Sequence, residues 1–366
     1  MRKSRNSTVE LLRIISMLMI LGLHYIAPTV GGGLNTSHPG NQTLLRIAES
    51  FCIPSVNVFV LISGYYLVSR RSTGLRKAVE LYLVMVLLDL ALLLLGALLG
   101  FCALDRRNLL IALVPFAYGQ HWFLETYILL LLFLPFLNLL IERLSKQAHT
   151  LLICLQLLVF SVWPSFLPSD PLADNGYGLT NFITMYLIGA WLRNYALFPK
   201  TRKARLLAAL AWLLSTGMII VSNRIPYLQS RSWRYCYLFA ISAAAALFLL
   251  FLNLPETRSR TVNLISGACF DVYIAHAFLL IQPFVYETVM QIPRFRELPV
   301  MPLHFLLCIL LQFAAFTLLG LLRQALWNPS LGRLLGSSRL LKAEQAWEER
   351  AFSSPSSDPP ERSGNS

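Results

Sequence analysis

Charged residues are scarce in this chain. Asp, Glu, Lys and Arg make up 13% of its 366 residues, against roughly 25% in soluble domains, whereas 56% of the residues are hydrophobic. This balance excludes an ordinary soluble protein. It predicts an all-α polytopic membrane protein, because helices satisfy their own backbone hydrogen bonds inside a bilayer.

Other features are missing as well. The six cysteines mostly lie inside apolar runs and have no metal-ligand spacing, so we expect small buried hydrophobic residues and no metal site. No internal repeat is found, so the inverted-repeat signature of many secondary transporters is lacking. The basic N-terminus resembles a signal peptide, but Glu10 and Arg13 interrupt its apolar run and no cleavage site follows, which predicts an uncleaved first span.

The basic excess, a formal charge of +13, would suggest nucleic acid in a soluble protein, but membrane topology explains it here. Ten segments are apolar enough to cross a bilayer. With the N-terminus in the cytoplasm, the inside segments hold 22 Lys and Arg and the outside segments 7, which agrees with the positive-inside rule. We therefore predict about ten spans with both termini cytoplasmic, and no nucleic-acid partner. The predicted spans are residues 8–27, 45–69, 78–102, 121–141, 150–163, 179–198, 205–222, 235–254, 262–286 and 302–327.

The chain divides into two predicted regions. Residues 1–327 form the integral membrane domain, and residues 328–366 a cytoplasmic tail that is first amphipathic and then disordered, because SSPSSDPPERSGNS lacks apolar residues. The run 109–119 is too short to span and fits an interfacial or re-entrant segment.

The first span, NSTVELLRIISMLMILGLHY, carries Arg13 and His24 on one helical face, with Glu10 one turn earlier. The two cationic candidates lie about 16 Å apart along the axis, so they mark two levels of one polar stripe. A neutral imidazole can accept a proton from a hydroxyl group near neutral pH. Snorkelling to the interface is an alternative explanation for the arginine.

Other ionisable residues within spans are candidates for function, because they are costly to bury in a bilayer. Opposite charges on neighbouring helices also pair as packing contacts, and for Glu49 and Asp89 this structural explanation is at least as good. The remaining candidates are Arg46, Glu125, Asp271 and His276.

Residues 55–77 form a second constellation. Ser63-Gly64 permits close helix approach, and Asn57 offers a buried hydrogen bond. A cluster of cations follows, which fits topology alone or a site for the phosphates of a nucleotide-bearing donor. These cations are Arg70, Arg71, Arg76 and Lys77.

Two more segments combine aromatic and ionisable side chains. Trp122 and Glu125 lie at the predicted outer mouth of one span, where an aromatic belt and a sugar-binding site would look alike. In residues 263–280, Ser266, Tyr273 and His276 share a helical face and Asp271 points elsewhere. That face fits a cavity wall or packing against another polar helix.

Together these segments resemble the acyltransferase-3 family, in particular its surface-polysaccharide O-acyltransferase-like branch. The matching stretches, in the family's order, are ELLRIISMLMILGLHY, SVNVFVLISGYYL, HWFLETYILLLLFLPFLN and SGACFDVYIAHAFLL. Many members carry an Arg-x-x-Arg element after the second span, whereas this chain has Arg70-Arg71 and Arg76-Lys77.

The resemblance implies transfer of an acyl group, usually acetyl, from cytoplasmic acyl-CoA to a carbohydrate hydroxyl in polysaccharide O-acetylation. It implies His24 as the catalytic histidine and Arg13 as its essential partner. The cations of residues 70–77 would hold the CoA phosphates, and Trp122, Glu125, Tyr273 and His276 would bind the acceptor. Acyl-CoA is then a co-substrate and no cofactor is permanently bound. The expected location is the bacterial cytoplasmic (inner) membrane, as a multi-pass protein.

Two other hypotheses fit the intramembrane charges. A transporter or flippase of a lipid-linked sugar would use them as a translocation path. A non-catalytic membrane anchor would use them only as interhelical pairs.

Overall fold

The computed structural model describes residues 6–70 and 74–337, together with Lys342 and Ala346. The described residues form α-helices with short 3-10 and π segments and no strand, which confirms the all-α fold. The helices are α1 Ser7–Ile26, α2 Pro39–Cys52, α3 Ser55–Leu67, α4 Leu75–Leu98, α5 Arg106–Leu113, α6 Trp122–Arg143, α7 Lys146–Leu157, α8 Trp163–Phe166, α9 Leu179–Tyr195, α10 Arg202–Ser222, α11 Pro226–Gln229, α12 Leu238–Leu252, α13 Arg260–Gly267, α14 Cys269–Ala277, α15 Ile292–Phe295 and α16 Met301–Ser337.

Among the described residues, seven helices are long and apolar enough to cross a membrane. They are Ser7–Ile26, Pro39–Leu67, Leu75–Leu98, Trp122–Arg143, Lys146–Phe166, Arg202–Ser222 and Met301–Trp327. The other three predicted spans are shorter or interrupted: α9 and α12 are short, and the segment 262–286 divides into α13, α14 and a π segment. The run 109–119 forms the short α5 and a 3-10 turn, as its length predicted.

Contacts between connecting segments identify the two sides of the bundle. On the N-terminal side, Ser7 Oγ donates to Asn263 Oδ1 at 2.9 Å, and Thr8 Oγ1 donates to the Pro255 carbonyl at 2.7 Å. On the opposite side, Ser37 Oγ donates to Glu297 Oε2 at 2.9 Å, and this hydrogen bond lowers the pKa of the Glu297 carboxyl. The loops thus meet as alternating spans require.

Helices α3 and α9 cross in close contact because both carry glycine at the crossing. A Cβ atom on Gly64 would overlap the Tyr186 carbonyl, and one on Gly189 would overlap the Leu61 carbonyl. The predicted buried hydrogen bond is present as well: Asn57 Nδ2 donates to the Tyr235 carbonyl at 2.8 Å. The close helix approach expected at Ser63-Gly64 is confirmed.

Asp271 connects α14 to α16. Arg323 Nη2 donates to Asp271 Oδ2 at 3.1 Å, and the carboxylate is fully buried. Asp271 therefore faces α16 and not His276, as the helical wheel predicted. A buried pair of this kind is costly to break, because the remaining charge loses its partner.

The last helix, α16, extends to Ser337 and so continues across the predicted boundary between residues 327 and 328. The predicted amphipathic and disordered parts of the tail lie outside the described residues, apart from Lys342 and Ala346. Arg71 lies outside them too.

Substitution of Gly64 by alanine tests the α3–α9 crossing. We expect a lower thermal unfolding temperature in detergent, because overpacking costs about 1–3 kcal/mol and here the clash is with backbone. Gly217→Ala is the matched control: a Cβ there meets no atom within 4 Å, and alanine is favoured over glycine inside a helix by about 0.8–1 kcal/mol. Equal unfolding temperatures for the two variants would contradict the crossing.

Candidate active site

A cavity of about 600 Å³ opens on the N-terminal side of the bundle. Its volume falls within the range of about 300–1,000 Å³ that is usual for ligand pockets. Side chains from α1, α3, α4, α6, α13, α14 and α16 line it, so helices that are distant in the sequence build one site. Glu10, Arg13, Lys77 and Glu80 line it near the ends of α1 and α4 on the N-terminal side, and most of its other charged residues are on the same side.

Carboxylates accompany the cations of this cavity. Arg13 Nε lies 3.8 Å from Glu10 Oε2, and Lys77 Nζ lies 3.0 Å from Glu80 Oε1. The Ser266 hydroxyl donates to Glu10 and fixes that carboxylate. The buried Arg323 lines the same space. The mouth thus holds charges of both signs in exchangeable ion pairs.

The deep end of the cavity is formed by Ile20, Phe123, Leu124 and Tyr273. Ile20 is one helical turn before His24, and Tyr273 is three residues before His276. The two histidine rings lie against each other, with centroids 4.4 Å apart. The polar stripe predicted on α1 therefore runs along the cavity wall and ends at a histidine pair just beyond its deep end.

The hydrogen bonds of the two histidines leave buried ring nitrogens available. His276 Nδ1 lies 3.0 Å from the Val272 carbonyl, so this nitrogen carries the proton and Nε2 has its lone pair free. Neither His276 Nε2 nor His24 Nδ1 has a hydrogen-bond partner among the described residues. Buried polar atoms of this kind need an explanation, and a bound substrate supplies one.

A buried histidine–aspartate pair, which the sequence did not reveal, lies beside Tyr273. His121 Nε2 is 3.0 Å from Asp89 Oδ2, and both side chains are fully buried. The rings of His121 and Tyr273 have centroids 6.0 Å apart. For Asp89 a packing contact between helices is, from the sequence, at least as good an explanation as a functional role; Asp89 pairs with His121, and no spacing rule links it to a residue of another helix. The only available signal was His121 itself, an ionisable residue at the start of a predicted span.

The predicted acceptor residues occupy different positions. Trp122 packs against Tyr177 and Tyr235, at centroid distances of 4.3 and 5.5 Å, and the two tyrosine rings also contact each other, so the three form one aromatic cluster. Glu125 is half-buried, and its Oε1 has no hydrogen-bond partner among the described residues. Tyr273 lines the deep end of the cavity, and His276 lies just beyond it.

Of the predicted donor-binding cations, Lys77 lines the cavity. Arg70 and Arg76 are exposed and lie outside its lining. Within residues 6–70 and 74–337, no group of three or more His, Cys, Asp or Glu side chains is arranged to hold a metal ion.

A family model described as an acyltransferase domain matches residues 6–319. These residues include the cavity lining except Arg323 and Gln324, the contact of His24 with His276, and the pair of His121 and Asp89. Searches of curated proteins and of solved structures returned no match. The match spans most of the chain, as the ordered set of sequence motifs predicted, and it favours an enzyme over a transporter or an anchor. The chain therefore belongs to the acyltransferase 3 family of membrane acyltransferases.

Proposed function

We propose that the protein transfers an acyl group, acetyl in the simplest case, from acyl-CoA to a hydroxyl group of a surface carbohydrate or lipid-linked sugar. One observation carries this proposal: the cavity opens on the N-terminal side, passes Arg13 and Lys77, and ends beside His24 and His276. Such a cavity suits a long donor that is anionic at one end and reactive at the other.

The donor enters from the cytoplasm in this proposal. The segments on the N-terminal side hold most of the Lys and Arg residues, which the positive-inside rule assigns to the cytoplasm, where acyl-CoA is available. Lys77 and Arg13 exchange their carboxylate partners for phosphate oxygens of the donor, which accept charge-assisted hydrogen bonds. The pantetheine arm then follows the cavity inward. A multi-pass protein of the bacterial inner membrane would have this arrangement.

The reaction takes place beyond the deep end of the cavity. The acceptor oxygen attacks the thioester carbonyl carbon while His24 takes the hydroxyl proton. When the C–S bond breaks, the same proton passes to the departing CoA sulfur, so no net proton is gained or lost. His276, whose ring contacts that of His24 at a centroid distance of 4.4 Å, offers Nε2 to an acceptor hydroxyl. An acyl-histidine intermediate is the alternative route.

The acceptor is a carbohydrate in this proposal because the available atoms around the histidines are mainly hydrogen-bond acceptors. His276 Nε2 and Glu125 Oε1 are buried and have no partner among the described residues. A ligand with several hydroxyl donors complements them. Trp122, which forms an aromatic cluster with Tyr177 and Tyr235, supports the start of α6 and bounds the acceptor side.

Substitution of His24 by alanine should abolish transfer. We expect acetylation of the cell-surface glycan, measured by mass spectrometry, to fall at least 100-fold, as the loss of a general base commonly costs 10²–10⁴-fold. Protein level and unfolding temperature should stay near those of the wild type. The control is His38→Asn, which retains an N-cap for α2 and should leave acetylation unchanged. Normal acetylation in the His24 variant would show that His24 is not a catalytic residue.

Neighbouring cations at the cavity mouth provide a matched test of donor binding. Lys77 lines the cavity and Arg76 does not. Lys77→Ala removes one contact to phosphate. It should raise the dissociation constant of labelled acetyl-CoA for the purified protein about tenfold, which corresponds to a loss of roughly 1.4 kcal/mol of binding free energy. Arg76→Ala removes the same charge outside the cavity and should change the dissociation constant by less than about twofold. Equal effects of the two substitutions would show that the donor does not occupy the cavity.

A further inference from the structure

Transfer from a thioester creates negative charge on the carbonyl oxygen, and a hydrogen-bond donor must meet it. Arg13 is poorly placed for this task if His24 removes the proton. The two residues are eleven positions apart on α1, which is about 16 Å along the helix axis and further than an arginine side chain reaches. Arg13 lies instead with Glu10 near the mouth of the cavity. The oxyanion donor has to be found at the deep end.

Tyr273 has the required position. Its side chain lines the deep end of the cavity, and only 9% of it is exposed. Its ring centroid is 5.6 Å from that of His276, which in turn contacts the ring of His24. Its hydroxyl has no hydrogen bond of standard geometry to a described residue. The phenolic O–H is therefore available to a ligand in the cavity.

The start of α6 orients this hydroxyl. The backbone amides of Phe123 and Leu124 lie near the Tyr273 oxygen; they belong to the first turn of α6 and so have no intrahelical acceptor. His121, at the N-cap position, makes no capping hydrogen bond from its side chain. Because these amides are donors, they disfavour conformers in which the phenolic proton points towards them, and the remaining direction for that proton is the cavity.

The buried pair of His121 and Asp89 fixes the start of α6 against α4. His121 precedes the first residue of α6, and its hydrogen bond of 3.0 Å reaches the middle of α4. This explains why a carboxylate and an imidazole are buried beside a cavity that they do not line. The pair holds the amides of Phe123 and Leu124 in place, and these face Tyr273.

From this arrangement we propose that the Tyr273 hydroxyl, oriented by the first turn of α6, donates the hydrogen bond that stabilises the oxyanion during acyl transfer. The inference rests on the proposed function. As the acceptor oxygen bonds to the carbonyl carbon and its proton moves to His24, the carbonyl oxygen becomes negative and accepts from Tyr273. The oxygen loses that charge when the carbonyl re-forms and the C–S bond breaks. Tyr273 keeps its proton throughout.

Tyr273→Phe tests the proposal because it removes only the hydroxyl group. In membrane vesicles that hold the natural acceptor, we expect kcat for transfer from radiolabelled acetyl-CoA to fall about 100-fold, as for other single oxyanion donors. The dissociation constant for acetyl-CoA should stay within about twofold of the wild-type value. The control is Tyr286→Phe, at a fully buried tyrosine whose hydroxyl bonds to Gln312 away from the cavity lining. It should lower the unfolding temperature and leave kcat within about threefold.

Infrared spectroscopy gives a second measurement that needs no acceptor. With acetyl-CoA labelled by ¹³C at the carbonyl, the bound thioester should absorb at lower frequency in the wild type than in Tyr273→Phe, because the hydroxyl polarises the carbonyl. An equal frequency together with a kcat within threefold of the wild type would overturn the role of Tyr273. Absence of acetyl-CoA binding by the wild type would instead overturn the proposed function.

Discussion

The contact between His24 and His276 is the feature on which the site depends. It brings a polar residue of the first helix against one of the fourteenth, with ring centroids 4.4 Å apart, in a bundle whose composition is otherwise strongly apolar. Polar side chains inside a membrane are costly unless they meet partners or line a cavity. Here the cavity ends beside this pair, so the two histidines are buried in the bundle and yet lie next to a space that a ligand can enter.

The rest of the architecture keeps that point in place. Close crossing of α3 and α9 at Gly64 and Gly189 packs one part of the bundle, and the buried pair of Asp271 and Arg323 locks α14 to α16. Because α14 also carries Tyr273 and His276, the same pair that stabilises the bundle fixes the histidine opposite α1. Stability and site geometry therefore share residues, and substitutions at Asp271 would affect both.

The sequence predicted much of this and missed what depends on contacts between distant helices. Composition and periodicity predicted the all-α bundle, and the helical wheel predicted the stripe of Glu10 and Arg13 and the direction of Asp271 away from His276. The break of the segment 262–286 into α13 and α14 was not predicted, because a short interruption hardly changes average hydropathy. The pairing of His121 with Asp89 was missed since it joins two helices through residues 32 positions apart, and the exposure of Arg70 and Arg76 depends on how the α3–α4 connection is placed.

In the proposed reaction the acyl donor enters from the N-terminal side and presents its thioester to His24 and Tyr273. This entry route can be seen in a structure of the protein with an acetyl-CoA analogue in which a methylene group replaces the sulfur. We expect the phosphates beside Lys77 and Arg13 and the acetyl carbonyl oxygen within hydrogen-bond distance of the Tyr273 hydroxyl. An analogue bound on the opposite side of the bundle, or one whose acetyl group lies away from the two histidines, would contradict the proposed reaction.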